Sequence, residues 1–140
     1  MATEVVVDSS VIVALVTPEK HSEWASKIIQ EQEYFHILDL TFYEVANAIN
    51  HKISNKFTSN DAVEAFKQAE KMMNLYSIHN YSEITSDALN MALELKITVY
   101  DAAFMSLAGK LNMRLLTLDI KLAKKLELTE YHGLIEYPKT

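Results

Sequence analysis

The chain has 140 residues, of which 49% are hydrophobic and 23% charged, the size and composition of one soluble globular domain. It contains no cysteine, which excludes disulfides, Cys-based zinc sites and thiol nucleophiles, and its two glycines are too few for a glycine-rich phosphate loop. The net charge of −6 argues against binding nucleic acid through a broad basic face. It does not exclude an enzyme that binds a divalent cation through several carboxylates, because those carboxylates contribute to the negative net charge.

The first predicted element is a strand at Val5–Val7, because three consecutive β-branched residues are typical of a strand buried on both faces. The strand ends at Asp8, and an apolar helical pattern follows from Val11. Segment 97–99 is too short for a strand to be predicted there. Further strands are predicted at 34–38, 76–79, 113–118 and 134–137, and further helices at 20–33, from 41 onward, and at 61–75, 81–95, 102–111 and 120–126.

Strands that alternate with helices predict an α/β fold, with a central parallel sheet of four or five strands and helices on both faces. No linker, repeat or low-complexity segment divides the chain, so we predict a single domain over residues 1–140. No apolar run approaches the roughly 20 residues that span a bilayer, and the N-terminus lacks the pattern of a signal peptide. We therefore expect a cytoplasmic protein that does not insert into a membrane.

Four acids lie directly against apolar sequence, where an ionised group is costly unless it is compensated. Each also has a purely structural interpretation. Asp8 and Asp119 follow strands and precede helices, which is the N-cap position, and Thr41-x-x-Glu44 and Thr98-x-x-Asp101 resemble capping boxes. The same pattern occurs at Thr58-x-x-Asp61 with no sign of function, so helix capping is the simpler explanation for any one acid alone. The four acids are Asp8, Glu44, Asp101 and Asp119.

Taken together, the four acids favour a metal site. The carboxyl ends of parallel strands, and the helix starts that follow them, share one edge of the sheet, so these carboxylates are expected to meet there. Like charges at close range destabilise the fold, and a hard divalent cation such as Mg²⁺ or Mn²⁺ relieves their repulsion. A carboxylate site with open positions for water and a phosphate is typical of metal-assisted phosphodiester cleavage.

The sequence resembles PIN-domain ribonucleases, most closely the small VapC-type toxins of toxin–antitoxin pairs. The resemblance covers nearly the whole chain in the order of the family, and all four acids of the family pattern are present. Asn112 stands where many relatives have glycine, and asparagine tolerates the left-handed conformation expected there. The matching segments are Val5–Ser10, Tyr43–Ala48, Thr98–Ala103 and Leu115–Asp119.

The resemblance implies a PIN-like three-layer α/β/α fold and an endoribonuclease that uses Mg²⁺ or Mn²⁺ to cleave single-stranded or structured RNA. It implies that Asp8 and Asp101 are the main metal ligands and that Glu44 and Asp119 complete the acidic pocket. It further implies an antitoxin partner and a homodimer. Two hydroxyls, those of Ser10 and Thr117, correspond to family positions that orient a carboxylate or a water.

Four basic residues near Asp119 in the sequence could draw an RNA backbone toward the acids, although a solvated helix face is the simpler explanation for any single lysine. The five histidines show no metal-ligand spacing. Three other functions stay open: a PIN nuclease of RNA processing or decay, a Mg²⁺-dependent phosphotransfer protein, and a non-enzymatic domain for oligomerisation or partner binding. Against phosphotransfer, Asp8-Ser9-Ser10 lacks the second aspartate of a D-x-D phosphatase. The four basic residues are Arg114, Lys121, Lys124 and Lys125.

Overall fold

The first strand is buried on both faces, as its composition predicts, and lies at the centre of a parallel sheet. In the computed structural model, which describes residues 3–140, Val5, Val6 and Val7 have no exposed surface. All strand pairings are parallel, and the order across the sheet is third, second, first, fourth, fifth strand. The strands are β1 (Glu4–Val7), β2 (Tyr34–Leu38), β3 (Ser77–His79), β4 (Arg114–Leu116) and β5 (Ile135–Glu136).

Helices cover both faces of this sheet, which confirms the predicted α/β/α layering. A short 3₁₀ helix at His132–Leu134 precedes β5. None of the helices described over residues 3–140 has the length and apolar character needed to cross a membrane. The α-helices are α1 (Ser9–Val16), α2 (Ser22–Gln30), α3 (Leu40–Asn50), α4 (Ser59–Met73), α5 (Tyr81–Leu95), α6 (Val99–Leu111) and α7 (Ile120–Leu126).

The strand side chains alternate between two apolar cores, one on each face of the sheet. Val6 packs with residues of α5, α6 and α7, whereas Val5 and Val7 pack with residues of α1 to α4. Helices α3 and α4, which flank Asn55, pack on α1 and on each other. The two cores hold the carboxyl ends of the strands in a fixed relation, and this edge is where the predicted acids lie.

Residues 97–99 do not form a strand, and the predicted helix at 102–111 begins earlier than expected. Thr98 is the N-cap of α6, and the helix starts at Val99 because the Thr98 hydroxyl accepts a hydrogen bond from the Asp101 N–H at 3.0 Å. At its other end the helix stops at Asn112, whose φ of 54° is left-handed, as the resemblance predicts. Lys96 ends α5 in the same way, with φ 58°.

A pair of imidazoles links β2 and β3, which the spacing of the histidines does not suggest. His36 Nδ1 lies 3.0 Å from His79 Nε2, and His36 Nε2 lies 3.0 Å from Glu4 Oε1. His79 Nδ1 in turn lies 3.5 Å from Glu83 Oε1 on α5. These contacts satisfy half-buried polar groups across three strands and a helix.

Candidate active site

Asp8 occupies the N-cap position of α1, but its carboxylate does not cap the helix. Within the described chain its side chain makes no hydrogen bond to the helix backbone. Instead, Oδ2 accepts hydrogen bonds from Thr117 Oγ1 at 2.7 Å and Ser10 Oγ at 2.9 Å, and Oδ1 accepts one from Ser9 Oγ at 3.3 Å. The capping interpretation is therefore wrong for this carboxylate, which is left facing hydroxyl groups at the edge of the sheet.

The hydroxyls of Ser10 and Thr117 tie Asp8 to the segment that follows β4. Ser10 Oγ also accepts a hydrogen bond from the Leu118 N–H at 2.9 Å, and Thr117 Oγ1 accepts one from the Asp119 N–H at 3.0 Å. Each hydroxyl thus donates to Asp8 and accepts from the backbone, so its orientation is determined from both sides. This network links two chain segments that are more than 100 residues apart in sequence.

Burial raises the pKa of the Asp8 carboxyl above its ordinary value. Hydrogen bonds from Thr117, Ser10 and Ser9 oppose that rise, because they favour the charged form, and the charge of Asp119 adds to it. The carboxylate is therefore partly buried, accepts hydrogen bonds from three hydroxyls, and is still electrostatically unfavourable when ionised.

Glu44 lies in α3 and is not part of a capping box. Asp39 caps this helix through the Leu40 N–H, and the Thr41 hydroxyl accepts a hydrogen bond from the Leu38 N–H at 3.0 Å. Within residues 3–140, Glu44 Oε1 is buried and has no hydrogen-bond partner. A buried carboxylate oxygen without a donor is costly, so it marks a position where a ligand is expected.

The pKa of Glu44 is raised to about 7, first by burial and then by the charges of Asp8 and Asp101, while a hydrogen bond from the Ser9 hydroxyl opposes the rise. These contributions show that the acids of α3, α6 and the end of β1 act on one another through space. Glu44 can therefore exchange a proton near neutral pH.

Asp101 occupies the first turn of α6, with its backbone N–H held by Thr98. At Thr58 a complete capping box forms, since the Thr58 N–H donates to Asp61 Oδ2 at 2.9 Å, but within the described residues Thr98 and Asp101 lack this second bond. In the described chain the Asp101 carboxylate therefore accepts no capping hydrogen bond. Burial raises its pKa, and the charges of Asp119 and then Asp8 add to the rise.

Asp119 differs from the other three acids because it does cap its helix. Its Oδ1 accepts a hydrogen bond from the Leu122 N–H at 3.0 Å, and the residue is exposed. Its charge nevertheless acts on both Asp8 and Asp101, which places it at the same edge. For Asp119 the capping interpretation is correct, and its second carboxylate oxygen is not needed for the cap.

The donor set of this edge fits a hard divalent cation in its chemistry. Carboxylate and hydroxyl oxygens predominate, Glu44 Oε1 has no partner, and the mutual repulsion of the acids would be offset by a positive charge. Within residues 3–140, no group of three or more Asp, Glu or His side chains is placed so that it could hold a metal ion.

A cleft of about 380 Å³ opens beside Asp101 and Asp119. Lys121 and Lys125 line this cleft, and so does Lys96. Lys96 was not among the predicted basic residues because it lies far from Asp119 along the chain. In the sequence, the feature that points to Lys96 is that it stands two residues before Thr98, at the end of the predicted helix 81–95.

Two of the predicted basic residues lie outside this cleft. Lys124 is exposed on α7 but does not line the cleft. Arg114 is the first residue of β4, so it lies at the other end of that strand from Thr117. Its guanidinium donates to Gln32 Oε1 at 3.0 Å and lies 3.4 Å from Glu136 Oε2. The structure does not bring Arg114 to the acidic edge.

The sequence matches the PIN domain family over residues 5–127, which include all four acids. The chain belongs to the PIN domain family. It is similar to ribonuclease VapC3 from Pyrobaculum aerophilum, with 38% identity over 123 residues that cover 87% of this chain and 94% of the relative. The resemblance to VapC-type PIN domains drawn from the sequence is thereby confirmed.

Solved structures confirm the PIN-like fold. The crystal structure of PAE2754 from Pyrobaculum aerophilum matches this PIN domain with a TM-score of 0.67 and 28% identity, covering 89% of this chain and 86% of that one. A toxin–antitoxin complex from Klebsiella pneumoniae matches with a TM-score of 0.63 at 15% identity, covering 84% of this chain and 88% of that one. The second likeness shows a shared fold.

Proposed function

We propose that this PIN domain is an endoribonuclease that uses Mg²⁺ or Mn²⁺ and serves as the toxin of a toxin–antitoxin pair. One observation carries the proposal. Asp8, Glu44 and Asp101 lie at one edge of the sheet, are not used to cap helices, and have pKa values raised by burial and by neighbouring carboxylates. Such repulsion is expected of a site whose ionised form is completed by a cation.

Asp8 and Asp101 would be the main ligands of the cation, with Glu44 and Asp119 completing the set. A bound Mg²⁺ or Mn²⁺ supplies a Lewis acid that lowers the pKa of water and offsets charge on the leaving 3′ oxygen of RNA. The hydroxyls of Ser10 and Thr117 hold Asp8 in one orientation, which keeps its carboxylate aligned while substrate enters.

Glu44 has a distinct role in this proposal because of its pKa of about 7. Its partnerless Oε1 is able to hold a proton at slightly acid pH and to release it near neutrality. In the metal-free protein this carboxyl therefore ionises as the pH rises through about 7, and a bound cation, which favours the charged form, would lower that pKa.

The relatives support a toxin role. The ribonuclease named VapC3 shares 38% identity with this chain, and one structural neighbour is a toxin–antitoxin complex. We therefore expect an antitoxin protein as partner and RNA as substrate. We also expect a homodimer, for which Leu89 and Leu93 on α5, with 48% and 70% of their surfaces exposed, offer an apolar surface.

Cleavage of RNA by the purified protein tests the catalytic proposal. We expect single-stranded RNA to be cut internally with Mn²⁺ or Mg²⁺ and to stay intact in EDTA. Asp8→Asn and Asp101→Asn should abolish cleavage while circular dichroism shows an unchanged fold. Full activity in both variants, or equal activity in EDTA, would contradict the proposal.

Expression in a host cell tests the toxin role separately. We expect growth to stop when the wild-type protein is produced. Growth should resume when a small DNA-binding protein encoded by a neighbouring gene is produced with it. RNA cleavage without any arrest of growth would instead favour a PIN nuclease of RNA processing or decay.

A further inference from the structure

The cleft beside Asp101 and Asp119 is lined by side chains of both charges. These two aspartates and three lysines, Lys96, Lys121 and Lys125, line a volume of about 380 Å³. The protein as a whole carries a net charge of −6, so this concentration of three lysines differs from its general character. An acidic edge alone would repel a phosphodiester chain, and the lysines offset part of that repulsion.

The three lysines are not neutralised by acids. Among residues 3–140, none of their ammonium groups lies within 4.0 Å of a carboxylate, although the cleft contains two aspartates. By contrast, Lys52 lies 2.6 Å from Glu19. Unpaired ammonium groups beside a cleft are available to an anionic ligand.

Lys125 has a different environment from Lys96 and Lys121. Its Nζ donates a hydrogen bond to the Lys96 carbonyl oxygen at 3.0 Å, which ties α7 to the turn between α5 and α6. Lys96 sits in that turn in a left-handed conformation, two residues before the Thr98 cap that holds the Asp101 backbone. Lys125 therefore positions one wall of the cleft, while the side chains of Lys96 and Lys121 remain free to bind.

We propose that this cleft binds the backbone of single-stranded RNA next to the scissile phosphate, with Lys96 and Lys121 contacting phosphate oxygens and Lys125 fixing the turn that carries Lys96. This inference rests on the proposed nuclease function. It assigns a role to Lys96, separates Lys121 from its neighbour Lys124 on the same helix, and gives Arg114 no part in RNA binding.

Fluorescence anisotropy with a labelled single-stranded RNA of mixed sequence tests the cleft directly. An Asp8→Asn background in Mn²⁺ prevents cleavage during the measurement. We expect Lys96→Ala and Lys121→Ala each to weaken binding about three- to tenfold, and to reduce the slope of log affinity against log salt by about 0.7. Lys124→Ala, the matched control on α7, should bind within about twofold of the parent and keep its salt slope.

Lys125→Ala should weaken binding and also lower the melting temperature, because it loses the contact with the Lys96 carbonyl. Lys124→Ala should leave the melting temperature unchanged. If Lys96→Ala and Lys121→Ala bind with the same affinity and salt slope as Lys124→Ala, the cleft proposal is wrong. Absence of any RNA binding by the parent protein would overturn it as well.

The failure of this proposal is distinguishable from failure of the nuclease function. If the parent binds RNA through Lys96 and Lys121 but the wild-type protein never cleaves it, the cleft assignment stands and the catalytic one fails. If the wild-type protein cleaves RNA and the two lysine variants keep its KM and salt dependence, the nuclease stands and the cleft assignment is overturned.

Discussion

Replacing Glu44 by glutamine should stabilise the metal-free protein above pH 7 and change little near pH 4.5. The Glu44 carboxyl has a pKa of about 7 against an ordinary value of 4.5, first because of burial and then because of Asp8 and Asp101. The folded state keeps this proton up to about pH 7, whereas the unfolded chain releases it near 4.5. The folded state therefore loses stability as the pH rises between these values. Glutamine mimics the protonated carboxyl and removes that loss.

The size of the effect follows from the shift. A rise from 4.5 to about 7 corresponds to about 3 kcal/mol in the free energy of unfolding, at about 1.4 kcal/mol per pKa unit. Because Glu44 is only partly buried, solvent screening reduces this to about 1–2 kcal/mol. In a domain of this size, that difference raises the melting temperature by about 3–8 °C.

Thermal denaturation followed by circular dichroism in EDTA measures this difference across the pH range. Glu70→Gln, an exposed glutamate of α4, is the matched control and should behave like the wild type throughout. A Glu44→Gln variant that is destabilised above pH 7, or that shows the same shift at both ends of the range, would refute the claim that burial and the neighbouring acids raise the pKa of this carboxyl.

Four further variants test individual contacts. Thr117→Val removes a donor to Asp8 and the acceptor of a backbone N–H, so urea denaturation should show a loss of about 1–3 kcal/mol and RNA cleavage should fall. In EDTA, Asp101→Asn should leave the melting temperature unchanged or raise it, because it removes repulsion between carboxylates. Asp61→Ala should lower the melting temperature, because it removes the carboxylate that accepts a hydrogen bond from the Thr58 N–H in a complete capping box. Asn112→Val places a β-branched residue at φ 54° and should cost about 1–2 kcal/mol in urea denaturation, with cleavage retained.

The arrangement of the sheet could be predicted from the sequence because it depends on local composition. Three β-branched residues predicted a strand buried on both faces, and the alternation of strands and helices predicted a parallel sheet. Parallel order then requires the strand ends to share an edge, which is why Asp8 and Thr117 meet at 2.7 Å despite lying 109 residues apart.

The roles of the individual acids could not be predicted in the same way, because capping depends on the path of the chain. The pattern Thr-x-x-acid forms both hydrogen bonds of a capping box between Thr58 and Asp61, but only one between Thr98 and Asp101. At Thr41 the hydroxyl accepts a hydrogen bond from the Leu38 N–H instead of from Glu44. The three sequence patterns are similar, but the chain enters each helix along a different path. Only the structure shows that Glu44 and Asp101 keep their carboxylates free of capping bonds.

Contacts between distant segments were likewise beyond the sequence. Lys96 and Lys125 are 29 residues apart, and His36 and His79 are 43 residues apart, with no motif connecting either pair. Each pair meets because two helix ends or two neighbouring strands happen to be adjacent in the fold. The basic wall of the cleft therefore could be located only after the helices had been placed.

The most direct test of the central claim, that the acidic edge cleaves RNA, is to map the 5′ ends of RNA fragments after brief expression of the protein in cells. Cells that produce the wild-type protein should accumulate new 5′ ends at a restricted set of RNA positions. Cells that produce the same amount of Asp8→Asn should show none of them. The same new ends in both cultures, or none in either, would contradict the account.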